Sequence, residues 1–259
     1  MGLFDFLKSK EQTSAATPAS PTVAARYLGD LTKTAALARL VTIPRADRDA
    51  AWNAAFLADL AAASFRCGTP QVVQGPDGMP YVQLFLPEEG VSFTCYVIEN
   101  MKDDFLLEQG LGVVINPTAT GPDWVLSYGD ILNLHLNQVF YSTEETPFSK
   151  QRRDEVIEGA EEVLVAQPAE LLLPQVTRDV LCEFLKNNGV AAPKVLLLMR
   201  RGGGGAGLSQ DLVFNITPLD FENEEMYRWV MQQLAWFLPR HYSLVGMEEK
   251  AIKSGFMPL

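Results

Sequence analysis

The stretch "KVLLLMRRGGGGAGLSQDLVFNIT", residues 194–217, decides the fold, because its glycine run permits two readings. A phosphate-holding loop would place a helix after the glycines and make the region part of a parallel, nucleotide-binding sheet. A hairpin would place a second strand there. Gly202, Gly204 and Gly207 have the spacing G-x-G-x-x-G, but that motif works because the last glycine opens a helix whose amides face a pyrophosphate. Here "QDLVFNIT", residues 210–217, is rich in β-branched and aromatic residues and reads as a strand. The P-loop alternative needs Lys and then Ser or Thr after the last glycine, where this chain has Leu208 and Ser209. Glycine supplies positive φ freely, so a hairpin tip explains the run. An anion held by Arg200 and Arg201 is the minor alternative.

Upstream and downstream, strands again cluster in hairpins instead of alternating singly with helices. "TPQVVQ" and "MPYVQLFLP" flank the turn "GPDG", residues 75–78, and "VSFTCYVIE" follows, which predicts a three-stranded antiparallel meander. Two helices precede it. One lies within 23–41, with Tyr27, Leu28, Leu31, Ala35 and Leu40 in a stripe. The other spans 47–66, with Trp52, Phe56, Leu60 and Ala63 on one face and Gly68 just past its end. Residues 101–110 read as a short helix closed by Gly110, "LGVVINP" and "DWVLSY" as two more strands, and residues 129–140 as a helix. The expectation is an α+β module over residues 23–140 with about five strands.

A plausible junction at residues 145–155 leads to a smaller α+β module over 150–259. Val156, Ile157, Ala160, Val163 and Leu164 form a helical stripe in 152–166. A helix over 175–188 uses Val176, Val180, Leu181, Phe184 and Leu185, the Gly-rich hairpin follows, and a last helix over 222–238 is stopped by Pro239. Trp229, Trp236 and Phe237 on that helix read as core, although three large rings exceed what one face buries. The fold class is therefore α+β, two modules, each an antiparallel sheet packed against helices.

The order helix, three strands, helix, two strands, helix over residues 47–140 resembles the type III secretion chaperone family. That resemblance implies a twisted antiparallel sheet, dimers and an unfolded client segment. "LGVVINP", residues 111–117, is similar to a strand followed by Asn-Pro in the enhanced-serine-sensitivity (SseB) family, which implies a second α/β module C-terminal to the first. Neither resemblance carries a binding or catalytic residue onto this chain.

Charge and reactive side chains narrow the function further. A net charge of -11 on 259 residues, with no long basic run, opposes nucleic-acid binding. Cys67, Cys95 and Cys182 are odd in number and far apart in apolar surroundings, which fits buried reduced thiols and a cytoplasmic location. His135 and His241 are isolated, so neither a zinc site nor a Ser-His or Cys-His pair is signalled. The adjacent acids Asp103 and Asp104, Glu144 and Glu145, Glu161 and Glu162, Glu224 and Glu225, and Glu248 and Glu249 read as solvated faces and first-turn charges. No catalytic residue, metal ligand or cofactor is expected.

At the N-terminus, "MGLFDFLKSK" carries Leu3, Phe4, Phe6 and Leu7, too few apolar residues for a signal core or a membrane span. The Ala, Ser, Thr and Pro of residues 11–22 read as a flexible linker, so residues 1–22 form an arm. Leu3, Phe4, Phe6 and Leu7 are candidate contacts to a protein partner or to a second copy, with membrane-surface contact a lesser option. The reading that fits best is a non-catalytic protein-binding adaptor or chaperone-like protein of the bacterial cytosol. The alternative is a small-molecule enzyme, a hydrolase, with a site assembled from scattered residues. Ionisable side chains clustered in the deepest cleft would favour the enzyme, and an apolar groove crossing the sheet would favour the adaptor.

Overall fold

A computed structural model describes residues 28–88, 90–144, 146–148, 163–201, 208–252 and 254–259. The chain divides into two compact units, Met1–Ile131 and Leu132–Leu259. Each unit sets a sheet against helices, so the fold is α+β.

In the first unit, helix α1 (Leu31–Leu40) starts at Asp30, whose carboxylate accepts the Thr32 and Lys33 amides. It buries Thr34 and Leu37, while Leu28, which precedes the helix, and Leu31, its first residue, lie exposed. Helix α2 (Ala50–Leu60) buries Trp52, Phe56 and Leu60, as the periodicity predicts. It stops six residues earlier than expected. Gly68 consequently caps nothing and lies in strand β1 (Arg66–Gln74), where a Cβ would come within 2.8 Å of the Phe85 ring and 3.0 Å of Gln83 Cβ.

Strand β1 and strand β2 (Pro80–Phe85) form the expected antiparallel hairpin around residues 75–78. The third meander strand does not form. Strand β3 (Gly112–Ile115) occupies the other side of β2 in parallel, and strand β4 (Trp124–Leu126) pairs antiparallel to β3. The parallel pair follows from the connection: a continuous helix α3 over 98–109, with a π turn at Lys102–Leu106, crosses between β2 and β3. Residues 91–95 are left irregular, and only Tyr96 bridges to Phe65. The unit thus has four strands in a mixed sheet of order β1-β2-β3-β4.

Gly110 closes α3 in the left-handed conformation at φ 69°, as expected of a glycine after a helix. In "LGVVINP", Asn116 holds φ 46°. Its amide donates to Leu84 O (2.8 Å), its side-chain oxygen accepts from the Leu86 amide (3.0 Å), and its Nδ2 donates to Asp123 (2.8 Å). The Asn of that stretch therefore ties β3 to the end of β2. Helix α4 (Tyr128–Asn137) follows, opened by a reciprocal cap between Ser127 and Asp130, and the chain passes from the first unit to the second within it, after Ile131.

In the second unit, residues expected as helix at Val163–Ala166 form strand β5, because their backbone pairs in antiparallel register with Leu197–Arg200 of strand β6 (Lys194–Arg201). The rest of that helical stripe lies outside the described residues. Helix α5 (Gln175–Asn187) buries Val180, Leu181, Phe184 and Leu185. Strands β6 and β7 (Leu208–Phe214) pair antiparallel with Arg201 opposite Leu208, so the glycines join the two arms of a hairpin, and residues 202–207 themselves lie outside the described set. Helix α6 (Glu224–Trp236) crosses to strand β8 (Leu244–Gly246), which runs parallel to β7. Strand β9 (Met257–Pro258) pairs with the start of β6. Of the three rings on the last helix, Phe237 is buried against Phe184 at 5.1 Å, Trp236 is half-buried, and Trp229 remains 43% exposed.

Replacing residues 202–207 by Asn-Gly should leave the melting temperature within a few degrees, since a tight turn suits two strands already in register. Differential scanning calorimetry checks this. Nucleotide binding by the unaltered protein, lost on shortening, would instead return the loop to the phosphate reading.

Candidate functional site

The two sheets share one connectivity, and the comparison locates the site. Each has a hairpin, a crossover helix and a parallel third strand: β1, β2, α3, β3 in the first unit and β6, β7, α6, β8 in the second. Strand β1 therefore corresponds to β6. The outer edge of β6 is fully dressed, with β9 opposite Lys194 and Val195 and β5 opposite Leu197–Arg200, both antiparallel. The outer edge of β1 is dressed only at its start, where Phe65 and Tyr96 exchange amide-to-carbonyl bonds of 2.8 Å. Beyond Phe65, β1 pairs with β2 alone among the described residues.

An open cleft of about 500 Å³ stands beside this edge, lined by Arg66, Cys67, Gly68, Thr69, Gln71, Phe93, Thr94 and Tyr96. Successive residues of a strand direct their main-chain groups to opposite edges. Phe65 bonds outward to Tyr96, so the N–H and C=O of Cys67, two residues on, face the cleft. Opposite β1 it is lined by Phe93, Thr94 and Tyr96 of the segment that the sequence marks as a strand.

One permanently charged group stands in the lining. Arg66 lies 4.7 Å over the Phe85 ring and donates to Glu88 at 2.9 Å, and Glu88 is 65% exposed. Among the described residues its buried Nε meets no hydrogen-bond acceptor. Burial pushes the Cys67 thiol up from its ordinary value, which keeps it protonated at neutral pH and a poor nucleophile. The cleft runs beside the sheet edge instead of across its face, and its lining mixes aromatic and neutral polar groups around a single cation.

The remaining sequence candidates lie elsewhere. Leu3, Phe4, Phe6 and Leu7 are outside the described residues. Arg200 donates to Asp211 on the neighbouring strand at 3.1 Å, which neutralises its charge within the sheet. The three cysteines are free thiols and half-buried, more open than expected of core residues. His135 and His241 are both half-buried, and burial holds the His241 imidazole below its ordinary pKa. Acids from the paired positions meet basic partners: Asp103 with Lys102, Glu224 with Arg228, Glu248 with Lys250 and Glu249 with Lys194. Burial opposes the charge of Lys102, yet the carboxylates of Asp103 and Glu99 hold its ammonium above the ordinary lysine value. Among the described residues, no group of three His, Cys, Asp or Glu could hold a metal ion, and no helix is long and apolar enough to cross a membrane.

Sequence reasoning missed the cleft. The signal available was the strand-like composition of "VSFTCYVIE" beside an edge strand, and it was spent on a third strand that the crossover of α3 displaces. Comparison of the chain with protein-family models, with curated proteins and with solved structures finds no match.

Proposed function

We propose that the chain is a non-catalytic protein-binding adaptor or chaperone-like protein of the bacterial cytosol, and that it takes an extended segment of its partner as an added strand on the outer edge of β1. The observation that carries this reading is internal. Among the described residues, the edge that β5 and β9 complete on β6 is left open on β1 beyond Phe65, and a cleft large enough for side chains stands beside it. Strand addition needs main-chain donors and acceptors for affinity and shallow side-chain sites for selectivity, and Cys67 with the Phe93 and Tyr96 rings supplies both. A hydrolase would need an activated nucleophile or an acid-base pair. The protonated Cys67 thiol and the Glu88-bound Arg66 are neither.

The test is a random peptide library displayed on phage and selected against the full chain, with the selected peptides measured by fluorescence anisotropy. Strand-forming peptides should emerge that slow amide exchange over residues 66–71 and 91–96 by about tenfold. In the Thr94→Trp variant, which fills the cleft from its exposed wall, affinity should fall by about tenfold or more. Selected peptides that protect another surface, with residues 66–71 unchanged, would overturn the proposal.

A further inference from the structure

The cleft beside β1 is neutral except at one residue, and that residue gives it a charge preference. We infer that Arg66 selects partner segments that place a carboxylate, the side chain of an Asp or Glu, on the added strand opposite or diagonal to Arg66. This preference rests on the reading of the edge as a strand acceptor and names the chemistry of the segment it accepts.

The main chain of this edge supplies little selectivity. Phe65 is already bonded to Tyr96, and the register of β1 against β2 breaks between Cys67 and Val72. A partner strand therefore finds a short ladder, and a side-chain contact has to decide which segment is held. In the described lining only Arg66 carries a charge, and the rest offers neutral polar and aromatic groups.

The guanidinium is both held in place and incompletely used. It lies 4.7 Å over the Phe85 ring, which fixes its plane before any partner arrives. Glu88 takes one bond from Nη2 at 2.9 Å, while the buried Nε has no acceptor among the described residues. A guanidinium has five donors in a planar fork, so it can accept a second carboxylate or exchange the first. The Glu88 side chain stands mostly in solvent, and an exposed pair of this kind is weak and readily replaced. A strand laid along β1 brings the side chain opposite Arg66 to about 5 Å between Cβ atoms on the same face, within reach of that fork. The net charge of -11 opposes acidic ligands at long range. A preference for a carboxylate therefore has to originate in a local contact, and Arg66 is the group in the lining able to make one.

The experiment selects a random phage-displayed peptide library in parallel against the full chain and its Arg66→Gln variant, keeping peptides that slow amide exchange over residues 66–71. Peptides from the unaltered chain should carry Asp or Glu at one fixed position, and peptides from the variant should not. In fluorescence anisotropy, changing that acid to Asn or Gln should weaken binding to the unaltered chain by about tenfold or more, and to Arg66→Gln by less than about twofold. Each loss is a ratio measured within one protein, so a general drop in affinity of the variant cancels. Arg66→Lys keeps the charge without the planar fork and should retain part of the preference. Peptides that protect residues 66–71 with no preference for an acid, or an acid whose removal costs the same in both proteins, overturn the inference and leave the strand acceptor standing. If the selected peptides protect another surface instead, the acceptor and its charge preference fall together.

Discussion

Arg48→Met should destabilise the first unit by about 3–5 kcal/mol, a large fraction of the roughly 5–15 kcal/mol by which domains are stable. Arg48 is 9% exposed and its partner Asp123 14%. The guanidinium donates to Asp123 at 2.8 Å, to Val41 O at 3.2 Å and to Ile43 O at 3.1 Å, and its carbon lies 4.5 Å over the Trp52 ring. Methionine preserves most of the apolar stem and removes every donor. The Asp123 carboxylate is then left with the Asn116 amide, and two carbonyls between α1 and α2 lose a partner. Because Trp52 stacks on Phe56 at 4.7 Å and tilts against Trp124 at 5.9 Å, urea unfolding followed by tryptophan fluorescence reports the change directly. Arg48→Lys should fall between, since an ammonium keeps the charge and loses the planar fork. A shift below about 1 kcal/mol for the methionine variant would mean that the pair is a surface interaction in its energetics.

The contrast between these residues and their sequence signals shows what a single chain discloses. Trp52, Phe56 and Leu60 recur at helical spacing and are all buried, because periodic burial is written locally. The hairpins at residues 75–78 and around the glycine run were legible for the same reason: turn chemistry lies within a few residues of the strands it joins. Pairings between distant segments left no such trace. Nothing in "LGVVINP" announces that β3 runs parallel to β2, since the decision belongs to the crossover of α3 and to the space it leaves. Val163–Ala166 satisfies a helical stripe and a strand equally well, and only β6 beside it selects the strand. The cleft follows from both effects at once. The position beside β2 belongs to β3, the segment with strand composition meets the start of β1 at the Phe65–Tyr96 bridge, and the cleft between them is a property of the assembled sheet that no local window contains.

Arg200 illustrates the same limit and carries the second large effect. The glycine loop drew attention to Arg200 as an anion ligand, whereas the group it meets is Asp211. In the register of β6 and β7, Arg200 lies opposite Ser209, so Asp211 is its diagonal neighbour on the same face. Asp211 is 1% exposed on a strand flanked on both sides, followed by the buried Leu212, Val213 and Phe214. A carboxylate there is tolerable only with a cation beside it. Arg200→Met should therefore destabilise the second unit by about 3–5 kcal/mol, because it strands a buried charge. The double variant Arg200→Met/Asp211→Val should recover most of the loss, since it removes the charge that the single variant leaves unpaired and puts a β-branched apolar side chain on a central strand. Chemical denaturation of the three proteins, with amide exchange over residues 194–214 to assign the effect to the β6–β7 hairpin, measures both steps. A single variant as stable as the unaltered protein, or a double variant no better than the single, would show that Asp211 draws its stabilisation from somewhere other than Arg200.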